Sequence, residues 1–366
     1  MKFVYILIVI AALAASSFAQ WTVTNLHPAG VDNSAVFAVT PTYQAGSARL
    51  YGPNQSAIIW HGSSSSYDDL NPTGSNNSKI RAAHGSMQGG FAVFSSVAHA
   101  ALWYGTASSF VDLHPTGANS SSVTSIYGLE QGGGAQFGSS GHAVLWSGSA
   151  ASMIDLHPDG ASNSGLGGIA PGQQVGAYSV GTSYARAGIW AGSANSLVDL
   201  NGSLVASGAQ GTDGLHQVGW GEITPSSRLH AILWSGTAAS WIDLTPAGSD
   251  SAEAYGVTGN YQVGFTYFGI TPFASFWSGS SQSWVNLHQF LPAGYRSSYA
   301  YSIVQSDNQL IVGGYAVNDA GTVAEAIMWV SPVPEPATIG VLAFGLALIA
   351  RRSSTCISRL GVKRRC

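Results

Sequence analysis

The sequence predicts an all-β fold, a seven-bladed β-propeller of four-stranded blades that is closed by a strand from each end of the repeat region. Two residue types recur at a common interval, and no helix-length apolar period appears between residues 21 and 330. The tryptophans of the repeat are Trp60, Trp103, Trp146, Trp190, Trp234, Trp277 and Trp329, with steps of 43, 43, 44, 44, 43 and 52 residues. Leucines recur at a similar interval, at Leu26, Leu70, Leu113, Leu156, Leu200, Leu244 and Leu287. Repeats of about 40 to 50 residues are typical of propeller blades.

Each repeat offers four short candidate strands. The clearest copy reads His-Ala-Val-Leu-Trp from His142 to Trp146 and continues through Asp155-Leu156-His157-Pro158. A Gln-Xaa-Gly core, as at Gln174–Gly176, marks another strand. Apolar residues alternate or form short runs between Gly, Ser, Asn and Pro, which is the strand pattern. We expect the blades to begin near residues 31, 74, 117, 160, 204, 248 and 295.

The two ends of the repeat region favour a closed ring over its competitor, an open solenoid. Residues 21–26 supply only an outer strand, and residues 326–330 supply only the strand that should precede it. Together they complete one blade, and closure of this kind removes exposed strand edges. The sequence therefore predicts that the N-terminal strand pairs with the last blade.

Residues 1–19 have the pattern of a secretory signal peptide. Lys2 precedes an apolar stretch from Phe3 to Leu13, and Ser17-Phe18-Ala19 offers small residues for cleavage before Gln20. A short membrane anchor is the alternative for this segment. The sequence thus predicts an exported protein at the cell surface or outside the cell.

The charge of the predicted propeller, residues 20–330, excludes nucleic acid as a partner. Six basic residues stand against sixteen acidic ones in this region, whereas binding to phosphates needs clustered Lys and Arg. Both cysteines, Cys356 and Cys366, lie outside it. A large apolar core must therefore stabilise the propeller without disulfides.

The remaining residues divide into a proline-rich linker, 331–338, and an apolar segment with a basic tail, 339–366. Pro334-Glu335-Pro336 precedes the apolar stretch, and Arg351 and Arg352 follow it. This order resembles the PEP-CTERM sorting signal of exported bacterial proteins. The resemblance implies cleavage near the motif by an exosortase, a membrane enzyme, in bacteria that usually make exopolysaccharide.

The apolar stretch of this tail contains about a dozen residues, fewer than the roughly 20 of an ordinary spanning helix. We expect a hydrophobic sorting helix that anchors the chain transiently in the inner membrane, with the arginines on the cytoplasmic side. The extension 353–366 departs from the family pattern, and a simple C-terminal anchor is the alternative. The expected partners are an exosortase-type enzyme and exopolysaccharide or other surface glycans, with membrane contact only through this segment.

The repeat itself resembles the extracellular HAF repeats, through His-Ala-Xaa-Leu-Trp at residues 99–103, 142–146 and 230–234. Other copies carry Ser56, Arg186, Phe273 or Glu325 in place of the histidine. This resemblance implies a surface or secreted repeat protein and no catalytic activity.

Polar residues in repeat phase are expected to be structural. One position is always Asp or Asn, namely Asn25, Asp69, Asp112, Asp155, Asp199, Asp243 and Asn286. A short side-chain oxygen there can accept a backbone N–H at a turn. Two residues on, the position is His27, Asn71, His114, His157, Asn201, Thr245 and His288, which indicates a hydrogen-bonding group and not a metal ligand. We therefore expect no metal and no cofactor.

Two further sets of residues complete the sequence pattern. Glycines at 46, 90, 133, 176, 219, 264 and 313 recur once per repeat, as expected where backbones approach closely or a strand bulges. The repeat-phase tryptophans are expected in the blade core. Trp220 falls outside the pattern, and with Tyr178 and Phe265 near the same phase it is our candidate for stacking on sugar rings.

The leading functional interpretation is a non-enzymatic surface or matrix protein that presents a propeller for adhesion or assembly with exopolysaccharide. No paired carboxylates, nucleophile elbow, P-loop or zinc motif is evident, so we assign no catalytic residues. A lectin-like glycan binder and a secreted polysaccharide hydrolase or lyase are the alternatives. Fold does not choose among them, but a cleft that gathers unlike polar residues would favour a binding or catalytic site.

Overall fold

The structure is a computed structural model that describes residues 21–225 and 228–333. Its strands form seven four-stranded antiparallel sheets, each one a blade of a β-propeller. Helix in the described residues is limited to 3₁₀ segments of three or four residues. The predicted all-β, seven-bladed propeller is confirmed.

Every blade has an inner, a second, a third and an outer strand. The inner strands of blades 1 to 7 are β2 (Ser34–Val39), β6 (Asn77–His84), β10 (Ser120–Tyr127), β14 (Asn163–Ala170), β18 (Ala206–Thr212), β22 (Ser251–Thr258) and β26 (Tyr295–Ser306). The second strands are β3 (Gln44–Ala48), β7 (Met87–Phe94), β11 (Glu130–Phe137), β15 (Gln173–Ser179), β19 (Gln217–Glu222), β23 (Tyr261–Phe268) and β27 (Gln309–Asn318).

The outer half of the blade is shorter in blades 2 to 7. The third strands are β4 (Ser56–Ser63), β8 (Val97–Trp103), β12 (Ser140–Trp146), β16 (Arg186–Trp190), β20 (His230–Trp234), β24 (Thr271–Trp277) and β28 (Ala324–Pro332). The outer strands are β5 (Ser66–Asp69), β9 (Val111–Asp112), β13 (Ile154–Asp155), β17 (Val198–Asp199), β21 (Ile242–Asp243), β25 (Val285–Asn286) and, for blade 7, β1 (Thr22–Asn25).

The ring closes through blade 7, as the sequence predicts. Strand β1 pairs antiparallel with β28, and the register runs from Thr22 opposite Val330 to Asn25 opposite Ile327. The sheet order β1-β28-β27-β26 places the N-terminal strand at the outer edge of three C-terminal strands. Closure therefore pairs a strand that would otherwise have no partner.

The core of the propeller lies between the blades. All seven repeat-phase tryptophans have no exposed surface. Trp146, for example, packs with Leu102, Val123 and Val144 in an interior cluster. Burial of large apolar side chains is the main source of stability in a fold without disulfides. The predicted structural role of the tryptophans is confirmed.

Adjacent blades are joined by a repeated hydrogen bond. In six of the interfaces a serine on the inner strand accepts the backbone N–H of an alanine on the third strand of the preceding blade, as Ser121 Oγ does from Ala100 N at 2.8 Å. The remaining serines are Ser34, Ser78, Ser164, Ser207 and Ser298. At the seventh interface Ala252 replaces the serine, and Thr245 Oγ1 accepts the N–H of Ala231 at 3.1 Å.

The repeat-phase histidines hold these serines in place. His114 Nδ1 lies 2.8 Å from Ser121 Oγ, and His114 Nε2 lies 3.1 Å from the carbonyl oxygen of Ala118. Since a carbonyl can only accept, Nε2 carries the proton and Nδ1 accepts from the serine. Asn71 and Asn201 receive the serine hydroxyl through Oδ1 in their own blades. The expected hydrogen-bonding role of this position is confirmed.

The repeat-phase Asp and Asn residues close a turn. In all seven blades their Oδ1 accepts the backbone N–H two residues on, as from His157 to Asp155 at 2.9 Å. The second carboxylate oxygen of Asp155 meets His142 Nδ1 at 2.7 Å, and the His142 ring stacks on His157 at 3.9 Å. The histidine of the His-Ala-Xaa-Leu-Trp motif thus ties the third strand to the outer strand.

Candidate binding site in the central channel

A β-bulge in every inner strand creates a ring of seven residues around the channel. Each pair of inner and second strands shifts register at an equivalent point, which leaves one inner-strand residue there without a cross-strand partner. Blade 7 has a second shift, between Tyr295 and Ser297. The seven residues at the equivalent point, which we call the bulge ring, are Phe37, Arg81, Thr124, Gly167, Gln210, Tyr255 and Tyr301. All seven line a cavity of about 830 Å³.

A glycine on the second strand permits the bulge. A Cβ at Gly90 would lie 1.9 Å from the carbonyl oxygen of Lys79, a distance at which a side chain cannot be accommodated. The corresponding residues are Gly46, Gly133, Gly176, Gly219 and Gly264, as predicted. In blade 7 the residue is Gly314, which faces the Tyr299 carbonyl, and the expected Gly313 instead faces side chains of blade 1. Close backbone approach is confirmed, with this correction in the last blade.

The inner strands carry a second level of residues, two positions before the bulge, and of these Lys79 also lines the cavity. This level consists of Ala35, Lys79, Ser122, Gly165, Gly208, Glu253 and Tyr299. At neither level do all seven blades carry the same residue type, whereas the tryptophan position at the blade interfaces is the same in every blade. Blades 6, 7, 1 and 2 contribute charged and aromatic side chains, whereas blades 3, 4 and 5 contribute Ser, Thr, Gln and Gly.

Blade 2 carries the positive charge of the channel. The Lys79 ammonium lies over the Phe37 ring of blade 1, 4.1 Å from its centroid, and the Arg81 guanidinium lies over Phe91 at 5.5 Å. Burial and the nearby charge of Arg81 lower the pKa of Lys79 to about 8. No acidic side chain in the described residues forms an ion pair with either cation.

Blades 6, 7 and 1 form a continuous aromatic wall, composed of Phe37, Tyr255, Phe265, Tyr299, Tyr301 and Tyr315. The Tyr301 ring lies 5.4 Å from Phe37 and 5.1 Å from Tyr255. Behind these rings, Phe265 lies 4.9 Å from Tyr299, and Tyr299 stacks on Tyr315 at 4.7 Å. Such contacts order the rings and leave aromatic faces and phenol oxygens along one side of the channel.

Glu253 is the acidic residue of the second level, on blade 6. It accepts a hydrogen bond from Tyr255 Oη at 3.1 Å. Burial raises the pKa of the Glu253 carboxyl, and this hydrogen bond opposes the shift. Burial and the Glu253 charge together raise the pKa of Tyr255, so the phenol stays protonated at neutral pH. The channel therefore offers cations, hydrogen-bond donors and a protonatable carboxyl at defined places.

The predicted sugar-stacking residues do not form one exposed row. Trp220 and Phe265 occupy equivalent positions of blades 5 and 6, opposite Gly208 and Glu253, but Phe265 is only 5% exposed beneath the tyrosines. Tyr178 is one position further along its strand, so it points to the opposite face. Its ring lies 6.4 Å from the core residue Trp190. Of the three, only Trp220 is a half-buried aromatic near the channel.

Sequence reasoning did not identify Lys79, Arg81, Tyr255 and Tyr301. The available signal was disagreement between repeats: these residues occupy two positions of the repeat at which the blades carry several different residue types. Apolar and polar residues alternate through those positions of the repeat, and this alternation by itself indicates only a strand. Only the bulge shows that their side chains share one cavity.

Several predictions concern segments outside the described residues. The signal peptide (1–19), the motif Pro334, Glu335 and Pro336, the apolar segment and the arginines Arg351 and Arg352 all lie there. Within the described residues, no helix has the length and apolar character to span a membrane. No group of three or more His, Cys, Asp or Glu side chains in that part of the chain is arranged to hold a metal ion.

The fold is similar to those of solved proteins that share little sequence with this chain. A puromycin hydrolase superposes with a TM-score of 0.51 at 10% identity, over 82% of this chain and 54% of the hydrolase. The acylaminoacyl peptidase of Pyrococcus horikoshii gives 0.48 at 9% identity, over 84% and 52%. The sialidase of Trypanosoma rangeli gives 0.40 at 9% identity, over 95% and 64%. The chain spans about half the length of the first two proteins, and neither a family model nor a curated protein matches it.

The expectation that this chain is not an enzyme is corrected by these findings. The puromycin hydrolase shares the fold, so a propeller of this kind is no ground for excluding catalysis. The expectation also relied on the repetitive character of the sequence. The channel is not repetitive, because Lys79, Arg81, Tyr255 and Tyr301 line one cavity, and Glu253 is hydrogen-bonded to Tyr255.

Proposed function

We propose that the protein is an exported propeller that binds an extracellular glycan in its central cavity and is displayed at the cell surface. The observation that carries this proposal is the bulge ring, where seven blades that agree elsewhere present seven different environments to one cavity. A volume of about 830 Å³ lies within the range of small-ligand sites. Aromatic faces beside hydroxyl and amide groups suit sugar rings, which have apolar faces and polar edges.

The proposed export rests on the sequence of residues 1–19, and the proposed surface display rests on the resemblance of residues 334–352 to a PEP-CTERM signal. Exopolysaccharide is then the glycan that the protein would meet, and an exosortase is the enzyme that would process its tail. Mass spectrometry of the exported protein tests the processing step. We expect the mature chain to end near Pro336, and an exported chain that still contains Cys366 would refute the cleavage.

Glycan binding is tested with the purified full-length protein on a glycan array, followed by calorimetry on the best probe. Phe37→Leu removes an aromatic face of the cavity while it keeps an apolar side chain of similar size. We expect roughly tenfold weaker binding, which corresponds to the loss of one good stacking contact. Tyr51→Leu is the matched control, because Tyr51 is 79% exposed and outside the cavity lining. Equal losses in the two variants, or no binding to any glycan, would overturn the proposal.

Cleavage of the bound glycan is a second candidate function, favoured by the Glu253–Tyr255 pair. A carboxyl with a raised pKa can protonate a leaving oxygen, which is the role of the acid in glycoside hydrolysis. The test is release of new reducing ends from the polysaccharide that binds most tightly. Product that disappears in Glu253→Gln while binding persists would support catalysis. If the bound polysaccharide remains intact, catalysis is refuted and glycan binding stands.

A further inference from the structure

We infer that the cavity selects an acidic sugar residue, whose carboxylate lies between Lys79 and Arg81. This inference rests on the proposed glycan binding and names the class of glycan. It starts from an imbalance in the chain: acidic residues greatly outnumber basic ones in the propeller, yet two of its few cations lie side by side in the channel without an acidic partner.

Three of the four other arginines in the described residues have a carboxylate partner. Arg49 pairs with Asp32, Arg186 with Asp199 and Arg228 with Asp250. Lys79 is half-buried, and a cation that is partly removed from water and left unpaired destabilises a fold. Lys79 and Arg81 also repel each other, as the lowered pKa of Lys79 reflects. An anionic ligand relieves both effects, which makes a site of this kind selective for negative charge.

Aromatic rings hold the two cations in position. Phe37 supports the Lys79 ammonium from blade 1, and Phe91 supports the Arg81 guanidinium from blade 2. A ring face attracts a cation without neutralising it and offers no acceptor for its hydrogen bonds. The N–H groups of both side chains therefore remain available to carboxylate oxygens, and hydrogen bonds between two charged groups are among the strongest in proteins.

The opposite side of the channel orients the sugar. Glu253 and the tyrosines lie on blades 6 and 7, so the acidic side chain is three blade steps from Lys79 in a ring of seven. A carboxylate directed at blade 6 would meet Glu253, whereas sugar hydroxyls directed there would meet Tyr255 and Glu253 as hydrogen-bonding partners. The ligand charge is therefore expected at blade 2 and the hydroxyl edge at blade 6.

The acidic surface restricts what can reach this site. A long polyanion would be repelled by the negative field of the propeller, and only a segment inside the cavity would contact the two cations. Added salt screens the repulsion over the surface more than the contacts within the cavity. We therefore expect a chain end or short oligosaccharide to bind, with an affinity that falls little or rises as the salt concentration increases.

Calorimetry on the full-length protein tests this inference with oligosaccharides of galacturonate, glucuronate and mannuronate, their carboxyl-reduced neutral counterparts, and a sulfated oligosaccharide. We expect at least one uronate probe to bind roughly tenfold more tightly than its reduced form. Arg81→Gln should abolish that preference. Arg228→Gln is the matched control, because its cation pairs with Asp250 outside the cavity, and it should keep the preference.

Each outcome of this experiment is decisive. Equal binding of uronate and reduced probes would refute the acidic-sugar inference and leave glycan binding intact, whereas no binding to either form would refute the proposed function itself. A preference that survives Arg81→Gln would place the carboxylate elsewhere. Tighter binding of the sulfated probe than of every uronate would refute the choice of carboxylate.

Chemical labelling of Lys79 tests the same contact without a substitution. The chain has three lysines, Lys2, Lys79 and Lys363, so peptide mapping can follow acylation at Lys79 alone. We expect the uronate probe, and not its reduced form, to slow the labelling of Lys79 several-fold. Labelling at an unchanged rate with saturating uronate would show that the anion does not contact this amine.

Discussion

The interfaces between blades and the lining of the channel follow different rules in this propeller. At the interfaces, the same tryptophan is fully buried in all seven blades, and the same Asp or Asn closes the same turn. At the bulge ring, the residue ranges from Gly167 to Arg81 to Tyr301. The bulge itself recurs in every blade, so a backbone requirement does not explain why the side chains there differ.

Agreement between blades follows from the packing of identical units. Each blade must fill the same space against its neighbours and satisfy the same buried N–H groups. The same residue types therefore recur at these positions in the blades. The channel is shared by all blades, and seven identical side chains there would produce a symmetric ring. Most ligands are asymmetric, so a binding site in the channel requires the repeat to be broken.

The largest effect is expected from Trp146→Ala at a blade interface. Truncation of a fully buried tryptophan leaves a cavity, and we expect a loss of about 3 to 5 kcal/mol in the free energy of unfolding. Gln210→Ala in the bulge ring should change stability by less than about 1 kcal/mol. Urea denaturation of both variants measures the comparison. Similar losses in the two would contradict the division between structural and channel positions.

A serine at a blade interface should have the next largest effect. Ser121→Ala leaves the N–H of Ala100 and Nδ1 of His114 without their partner, at a cost of about 1 to 3 kcal/mol. Blade 5 contains a different solution, in which Thr245 accepts the N–H directly and alanine stands in the serine position. The double variant His114→Thr with Ser121→Ala should therefore recover part of the loss, and a double-mutant cycle with no coupling would contradict this reading.

A smaller effect is expected at the turn that Asp155 closes. Asp155→Ala removes the acceptor for the His157 N–H and should cost about 1 kcal/mol in thermal or chemical denaturation. Asp155→Asn keeps an Oδ1, as Asn25 and Asn286 do in their blades, and should cost less. If the amide were as damaging as alanine, the ion pair with His142 would matter more than the turn.

The smallest effect is expected from Lys79→Met, and it is a gain in stability. The pKa of Lys79 is lowered to about 8 in the folded protein, so the unfavourable interaction of its charge is fully present below that pH. It is lost as the pH rises toward the pKa of an unfolded lysine, about 10.4, because the unfolded chain binds more protons in this interval.

Differential scanning calorimetry measures this prediction for Lys79→Met. Removal of the charge should raise Tm by about 2 °C at pH 7, and the advantage should shrink above about pH 8. The comparison variant is Arg228→Gln, whose cation has a carboxylate partner and whose loss should give no gain. If the Tm of Lys79→Met were lower than that of the parent protein, the charge of Lys79 would not destabilise the fold, and the prediction would be wrong.

Prediction from sequence succeeded where one repeat contains the whole interaction. Asp155 and the N–H of His157 are two residues apart, and the period of the tryptophans identified the blade core. It failed where the relevant neighbour is on another strand or blade. Gly313 and Gly314 are adjacent in sequence, and only the bulge opposite Gly314 shows which of them meets a backbone. Tyr178 and Trp220 lie at nearly the same position of their repeats, but they are offset by one residue. Their side chains therefore point to opposite faces of the sheet.

The repeat pattern was enough to predict the seven blades and their four strands, because strand period and repeat length are local properties that recur along the chain. The pairing of β1 with β28 could be predicted as well, because the incomplete repeats at residues 21–26 and 326–330 complement each other. Only the tertiary structure decided which residues form the site. Lys79, Tyr255 and Tyr301 are separated by many tens to hundreds of residues, and they line one cavity because the ring closes and each inner strand carries a bulge there. Convergence of this kind depends on long-range geometry, which no single repeat contains.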